Sequence, residues 1–193
     1  MARHKEFDKI AILEKAIGVF WSKGFEATTI QDLVNATRIN RGSIYDTFGN
    51  KARLFNLALT HYQKATPTQK LLNNAKTANP RKEIEDYFHR ILYLHGEQGE
   101  KRGCLITNSI AELAYLDKKL AAHFKIYINN SENALYTLVK RGQETGDINP
   151  WRNPRSLARS LLASAEGLIL ISKVDPGNET LLDIANAALS LLD

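Results

Sequence analysis

One short segment of this sequence would present hydrogen-bond donors that suit phosphates and base edges. Arg41, Ser43 and Tyr45 follow one another at alternate positions. An arginine can bind guanine through two parallel hydrogen bonds, a serine can reach a base edge, and a phenol suits a phosphate. Thr29 and Lys51 would place a hydroxyl and a positive charge at two helix starts. Structural roles are the alternatives: capping for Thr29, core packing for Tyr45 and a solvated side chain for Lys51.

The same residues require two short helices joined by a tight turn. Thr29 and Asp32 match a capping box, which predicts a helix that begins after Thr29. The apolar pattern of that helix stops at residues 37–39. Asn40 then suits the N-cap of a second helix over residues 41–48.

Two glycines fit the second helix and its end. Gly42 lacks a side chain, so this helix can approach another backbone closely, and Gly49 suits a left-handed C-cap. Asn50 can then cap a further helix. Two short helices in this arrangement place the second one in a DNA major groove.

These segments closely resemble the N-terminal domain of TetR-family transcriptional regulators. The resemblance rests on residues 28–33, 42–48 and 50–51, with a matching lead-in over residues 16–25. It implies an all-α chain with an N-terminal three-helix helix-turn-helix domain and a larger C-terminal helical domain for ligand binding and dimerisation. It also implies a double-stranded DNA operator as partner. The expected DNA-binding residues are Thr29, Gln31, Arg41, Gly42, Ser43, Tyr45 and Lys51.

Length, composition and charge agree with a globular protein that binds a polyanion. The 193 residues are 44% hydrophobic and 24% charged, which is enough to bury a core and is untypical of disorder. The net charge of +5 permits a nucleic-acid partner without requiring one. The N-terminal residues lack a signal peptide, and the longest apolar stretch, 161–171, is too short to cross a bilayer. We therefore expect a cytoplasmic protein with no membrane partner.

Beyond residue 51 the apolar residues recur with a helical period and never alternate as in a strand. Thr66, Asn79 and Asp117 each suit the N-cap of a helix, and the long helix after Asp117 is expected to end near Gly142. We therefore predict a DNA-binding domain over residues 1–51 and an effector-binding and dimerisation domain over residues 52–193.

The last two helices, expected to start at Pro154 and at residues 175–176, are unusually apolar. Small residues at Ala163, Ala165 and Gly167 let helix axes approach closely. These helices form either intramolecular core or a four-helix seam between two subunits. The resemblance favours the seam, because the family dimerises there and a dimer reads two half-sites. The expected interface residues are Leu161, Leu162, Ala165, Leu168, Ile169, Leu182, Ala185 and Leu189.

The resemblance also implies a pocket for an unidentified small-molecule effector in the second domain. Residues 102–105 are similar to an element of a family subgroup in which a cysteine senses electrophiles or oxidants. Lys101 and Arg102, beside a helix N-terminus, would favour the Cys104 thiolate, whereas a buried and inert thiol is the alternative. The other pocket candidates have core packing as their alternative. The candidates are Tyr87, Phe88, His95, Cys104, Phe124 and Tyr127.

Two other classes of function compete with a DNA-binding regulator: a thiol-dependent enzyme and a helical ligand- or protein-binding module. The sequence has no Gly-rich phosphate loop, zinc-protease histidine pattern or nucleophile elbow, so we expect no catalytic residue, metal or cofactor. The module would not need donors at positions 29, 45 and 51, and these are present. We therefore expect a repressor that leaves a palindromic operator when an effector binds, or when an electrophile or oxidant reacts at Cys104.

Overall fold

The computed structural model describes residues 9–93, 102–174 and 177–193, and these residues form α-helices and two short 3-10 turns, with no β-strand among them. The expected all-α fold is confirmed. The helices are α1 (Lys9–Lys23), α2 (Ile30–Thr37), α3 (Arg41–Phe48), α4 (Lys51–Gln63), α5 (Pro67–Asn74), α6 (Pro80–Leu92), α7 (Leu105–Leu113), α8 (Lys118–Thr145), α9 (Pro154–Ile171) and α10 (Asn178–Leu189). The 3-10 turns, Ser172–Val174 and Ser190–Leu192, follow α9 and α10.

The chain divides into two compact units between Lys64 and Ala65. The domain boundary expected from the sequence, between residues 51 and 52, was placed at the end of the segment expected to contact DNA. By packing, α4 belongs with the first unit, because it lies against α1 and contacts α3. The first unit therefore contains α1 to α4, and the second contains α5 to α10.

The first unit is built around an aromatic core that fixes the helix-turn-helix. Phe20 of α1 and Phe55 of α4 are almost fully buried, with ring centroids 4.9 Å apart and planes at 71°. Leu33 of α2 and Ile44 of α3 are fully buried as well. Since each of the four helices contributes to this core, the two short helices are held by packing rather than by their own propensity.

The predicted caps set where the helices of the first unit begin. Thr29 caps α2 in a complete capping box, and Asn40 and Asn50 accept backbone hydrogen bonds at the starts of α3 and α4. Gly49 ends α3 with φ 84° and ψ −66°, so it takes the positive φ that glycine tolerates but not the left-handed helical conformation.

In the second unit, α8 and α9 form the largest packing contact, α6 lies against both, and α10 packs on α9. The predicted caps Thr66, Asn79 and Asp117 are confirmed at the starts of α5, α6 and α8. The start expected for the last helix, residues 175–176, lies outside the described residues. Within this unit, α8 and α9 therefore pack against most of the other helices.

The end of α8 differs from the sequence expectation. The helix continues past Gly142 to Thr145 and stops at Gly146, whose φ of 82° and ψ of 5° form a left-handed cap. The carbonyl of Gly142 accepts hydrogen bonds from the amides of Asp147 and Ile148, at 2.8 and 3.1 Å. Gly142 therefore does not terminate the helix; its missing side chain leaves room for Ile148 to fold back onto α8.

The packing at Gly142 predicts a large effect of one added methyl group. A Cβ at this position would lie 2.5 and 2.7 Å from Cδ1 and Cγ1 of Ile148, which is itself buried. We expect Gly142→Ala to lower the free energy of unfolding by about 1–3 kcal/mol, measured by denaturant titration. Gly18→Ala is the matched control, because a Cβ there meets nothing within 4 Å and should stabilise α1 by up to about 1 kcal/mol. Equal stabilities of the two variants would contradict the proposed packing.

Candidate nucleic-acid interface

The N-terminus of α2 carries a preformed set of polar groups around Thr29. Oγ1 of Thr29 accepts a hydrogen bond from the amide of Asp32 at 3.1 Å. The Asp32 carboxylate in turn accepts from the amide and the hydroxyl of Thr29, at 2.9 and 2.7 Å. Thr29 is exposed, so the capping box lies at the surface. The first-turn amides of an α-helix have no partner within the helix itself, so a helix N-terminus can bind an anion.

The Asp32 carboxylate is stabilised in its charged form by a residue that the sequence analysis missed. Nζ of Lys23, at the end of α1, lies 2.5 Å from Oδ1 of Asp32. This hydrogen bond and those from the Thr29 backbone and side chain lower the pKa of Asp32 to about 2. The capping box therefore keeps a full negative charge at neutral pH, and Lys23 neutralises it beside a helix end that would otherwise repel phosphate. No local spacing rule connects residues 23 and 32, which lie on different helices.

The second helix, α3, presents Arg41 and Tyr45 side by side. Asn40 fixes its start by accepting a hydrogen bond from the amide of Ser43 at 2.8 Å. Ile44 and Phe48 point into the core, which leaves Arg41 exposed and Tyr45 half-exposed. Nη2 of Arg41 lies 3.4 Å from the Tyr45 hydroxyl, and its guanidinium carbon lies 5.6 Å from the centroid of the Tyr45 ring. The exposed face of α3 therefore carries two adjacent donors one helical turn apart.

Three further expected DNA-binding residues flank this pair. Gly42 is exposed, and a Cβ there would lie 3.3 Å from Oδ1 of Asn40, the atom that caps α3. Ser43 is half-exposed. Gln31 lies on the exposed face of α2, where its side-chain amide donates to Oδ1 of Asn35 at 2.9 Å.

Lys51 occupies an environment that the sequence did not indicate. Its Nζ donates hydrogen bonds to the backbone carbonyls of Phe25 and Thr28, both at 2.9 Å, and lies 3.4 Å from that of Glu26. The same ammonium lies 4.4 Å from the centroid of the Phe25 ring. Lys51 is therefore neither an ordinary solvated lysine nor turned fully outwards; it links the start of α4 to the loop between α1 and α2.

Comparison with known proteins agrees with this geometry. The model for "Bacterial regulatory proteins, tetR family" matches residues 12–58, and the model for "Tetracyclin repressor-like, C-terminal domain" matches residues 82–188. The chain belongs to the TetR family. The first match covers all of α2 and α3, and the second covers most of the second unit, so both parts of the chain are those of the family.

Full-length relatives show the same organisation. The HTH-type transcriptional regulator YezE of Bacillus subtilis is 32% identical over all of both chains. The HTH-type transcriptional repressor ComR of Escherichia coli is 29% identical, over 98% of this chain and 90% of its own. Among solved structures, a cysteine mutant of the TetR-family regulator CifR in complex with 26-base-pair operator DNA is 25% identical. It aligns with a TM-score of 0.82 over 99% of this chain and all of its own. This chain is therefore a DNA-binding transcriptional regulator.

The expected effector residues lie in the interior of the second unit. Tyr87, Phe88, Phe124, Tyr127 and Cys104 are all buried, and Cys104 holds the N-cap position of α7 without a capping bond from its side chain. His95 lies outside the described residues.

Polar groups that the sequence analysis missed accompany these buried tyrosines. The Tyr127 hydroxyl donates to Oγ1 of Thr68 at 2.9 Å, and the Tyr87 hydroxyl lies 3.4 Å from the same atom. Thr107 donates to Oε2 of Glu166 at 2.7 Å. Burial raises the pKa of Tyr87 and of Tyr127, and the charge of Glu166 raises both further. The second unit therefore contains three buried hydroxyls, those of Thr68, Tyr87 and Tyr127, and a half-buried carboxyl, Glu166, whose charge acts on both tyrosines.

The residues expected at the dimer seam fall into two groups. Leu182 is 44% exposed and Leu189 is half-buried. The other six are buried within the single chain, where they pack α9 and α10 against the rest of the unit: Leu161, Leu162, Ala165, Leu168, Ile169 and Ala185.

Small and apolar side chains also face outwards from α9 and from the 3-10 turn that follows it. Ala163 is exposed and Gly167 is half-exposed, and Leu170 and Val174 continue the same face at 56% and 80% exposure. We call Ala163, Gly167, Leu170, Val174 and Leu182 the outward stripe.

Neither a metal site nor a membrane-spanning helix is found among the described residues. No group of three or more histidine, cysteine, aspartate or glutamate side chains within residues 9–93, 102–174 and 177–193 is arranged to hold a metal ion. In the same part of the chain, no helix has the length and apolar character needed to span a membrane.

The Arg41–Tyr45 pair predicts two different effects on DNA recognition. Arg41→Ala should relax the preference at one base pair by about 1–3 kcal/mol, because a bidentate contact to a base edge is lost. Tyr45→Ala should weaken binding to all sequences about equally, because a phosphate contact carries no sequence information. Selection from a randomised DNA pool followed by sequencing separates the two effects. An unchanged preference in the Arg41 variant would exclude a base-reading role.

The position of Glu166 predicts a pH-dependent effect on stability. Burial raises the pKa of this carboxyl above 4.5, so the folded state favours its neutral form. The stability that the neutral form contributes is fully present below pH 4.5 and is lost as the pH rises through the folded-state pKa. Glu166→Gln keeps an acceptor for Thr107 but cannot ionise. We expect its denaturation midpoint to exceed that of the wild type by more at pH 8 than at pH 5; a constant difference would contradict this environment.

Proposed function

We propose that this protein is a repressor that binds a palindromic operator as a homodimer and leaves it when a small molecule acts on the second unit. The observation that carries the proposal is the exposed Arg41–Tyr45 pair on α3, next to the capped N-terminus of α2. Arg41 suits a base edge, whereas Tyr45 and the N-terminus of α2 suit phosphates. The relative ComR is a repressor by name, which supports the direction of regulation.

The outward stripe supports a dimer. Leu170, Val174 and Leu182 are large apolar side chains with 44–80% of their surface exposed, and the small residues Ala163 and Gly167 on the same face of α9 as Leu170 allow close approach of a second helix pair. The same stripe on two copies would form a four-helix seam around a two-fold axis. Such a dimer presents two copies of α3, as a palindromic site requires. The seam proposed here therefore lies on the opposite face of α9 from most of the residues that the sequence suggested.

The effector is proposed to bind next to the buried hydroxyls of Tyr87 and Tyr127. A mostly apolar interior with a few hydroxyls and one carboxyl is the usual lining of a small-molecule site. Cys104 offers a second input, by reaction with an electrophile or oxidant. Support for the thiol comes from CifR, whose operator complex was solved as a cysteine mutant. Because Cys104 is only 4% exposed, such a reagent reaches it only through an opening of the α7 start.

The proposal is tested by selecting operator DNA from a random pool across a series of salt concentrations. We expect an enriched palindrome and an affinity that falls steeply with salt, because each neutralised phosphate releases counterions. Compounds that release the selected operator then identify the effector class. Cys104→Ser abolishes release by thiol reagents and leaves release by a non-covalent ligand intact. Weak binding without an enriched palindrome would refute the operator model.

The seam is tested in the same assay with Leu170→Arg/Leu182→Arg, whose two sites are exposed in the single chain. We expect this variant to be a folded monomer in sedimentation and to lose the preference for a palindrome. Ile126→Arg is the matched control, since Ile126 on α8 is 59% exposed and lies outside the stripe. A double variant that remains dimeric would place the interface elsewhere.

A further inference from the structure

The surroundings of Lys51 leave its ammonium group no hydrogen-bond donor for DNA. A lysine ammonium has three N–H donors. The carbonyls of Phe25 and Thr28 each accept a hydrogen bond from Nζ at 2.9 Å, and the carbonyl of Glu26 accepts a longer one at 3.4 Å. The Phe25 ring covers another side at 4.4 Å, and the residue is half-buried. A phosphate contact through Nζ would require Lys51 to give up these partners.

The loop that supplies the carbonyls is otherwise closed by its own hydrogen bonds. Gly24, at φ 79°, donates from its amide to the carbonyl of Phe20 at 2.8 Å, and the buried Thr28 hydroxyl donates to the carbonyl of Gly24 at 2.5 Å. The amide of Thr28 donates to Phe25 at 3.3 Å. This folding turns three carbonyl oxygens towards one point. A cation there offsets the repulsion among their partial negative charges.

The sequence position of Lys51 argues in the same direction. It is the first residue of α4, where the helix dipole disfavours a positive charge. The loop carbonyls offset that cost, whereas the helix itself gains nothing from a lysine there. The Lys51 side chain therefore stabilises the loop and not the helix that carries it.

We propose that Lys51 is a positioning residue, which fixes the phosphate-binding end of α2 from the start of α4 and does not itself bind DNA. Thr28, whose carbonyl it holds, is joined directly to Thr29, the cap of α2. The ammonium thus locks the residue before the cap to the helix that follows α3. This inference rests on the phosphate contact proposed for the α2 N-terminus.

The salt dependence of operator binding separates a positioning role from a phosphate contact. Lys51→Met keeps a side chain that packs on Phe25 and removes the three donors. We expect roughly tenfold weaker binding by the folded dimer, with an unchanged slope of log affinity against log salt. A slope reduced by about 0.9 would show a direct phosphate contact and overturn the proposal. Arg53→Met, which removes an exposed cation from the same turn of α4, measures how far a nearby charge alone alters the slope.

A double-mutant cycle tests whether Lys51 acts through α2. If it positions Thr29, the double variant Lys51→Met/Thr29→Ala should bind little more weakly than the weaker of the two single variants. If the loss of affinity in the double variant equals the product of the two single losses to within about twofold, the residues act independently and the proposal is overturned. If Lys51 only stabilised the fold, its loss would lower the unfolding temperature but would leave the affinity of the correctly folded protein unchanged. The fraction of protein able to bind operator is therefore titrated in every sample.

Lys51→Arg covers the case in which the methionine variant does not fold. Arginine keeps the charge and binds phosphate at least as well as lysine, but its longer planar group does not match three converging carbonyls. We expect weaker operator binding than wild type, and equal or tighter binding would contradict the positioning role. Wild-type binding is measured first, because its absence would refute the operator proposal and not the role of Lys51.

Discussion

In the proposed DNA complex, the first unit depends on one constraint: the start of α2 must face a polyanion while the loop before it keeps its own polar groups satisfied. A helix N-terminus attracts phosphate only if its amides are exposed and held in place. Thr29 holds the first turn of α2 in place by exchanging hydrogen bonds with Asp32, but this brings a carboxylate to the proposed binding surface. Lys23 neutralises that charge, and Lys51 holds the loop carbonyls. In the proposed complex, these two lysines from outside α2 would make its N-terminus available to a phosphate.

Local features of the sequence were enough to predict where the helices begin. Thr29, Asn40, Asn50, Thr66, Asn79 and Asp117 all act as caps, because a cap is an interaction between residues two or three positions apart. The predicted end of α8 was wrong, because it depends on a contact with a residue beyond the helix. Whether Gly142 stops a helix depends on Ile148, which folds back from beyond the helix end and needs the space.

Interactions between separate helices were invisible in the sequence. Lys23 and Asp32 stand nine residues apart on different helices, and the carbonyls around Lys51 belong to residues 25–28. The dimer prediction met the same difficulty in another form. In the proposed dimer, α9 has one face for its own core and one for a partner, and a large side chain such as Leu161, which is buried in the single chain, would suit either by type alone. The small residues at 163 and 167 leave the proposed partner face flat enough for another helix.

The position of α9 connects the two parts of the proposed mechanism within the second unit. Glu166 on this helix accepts a hydrogen bond from Thr107, while Gly167 and Leu170 lie on the outward stripe. An effector that binds at Glu166 would have to replace this hydrogen bond to Thr107. A rigid helix cannot move its inner face without moving its outer one. In the proposed dimer, a ligand at Glu166 would therefore alter the seam through α9 itself, without any separate relay of side chains.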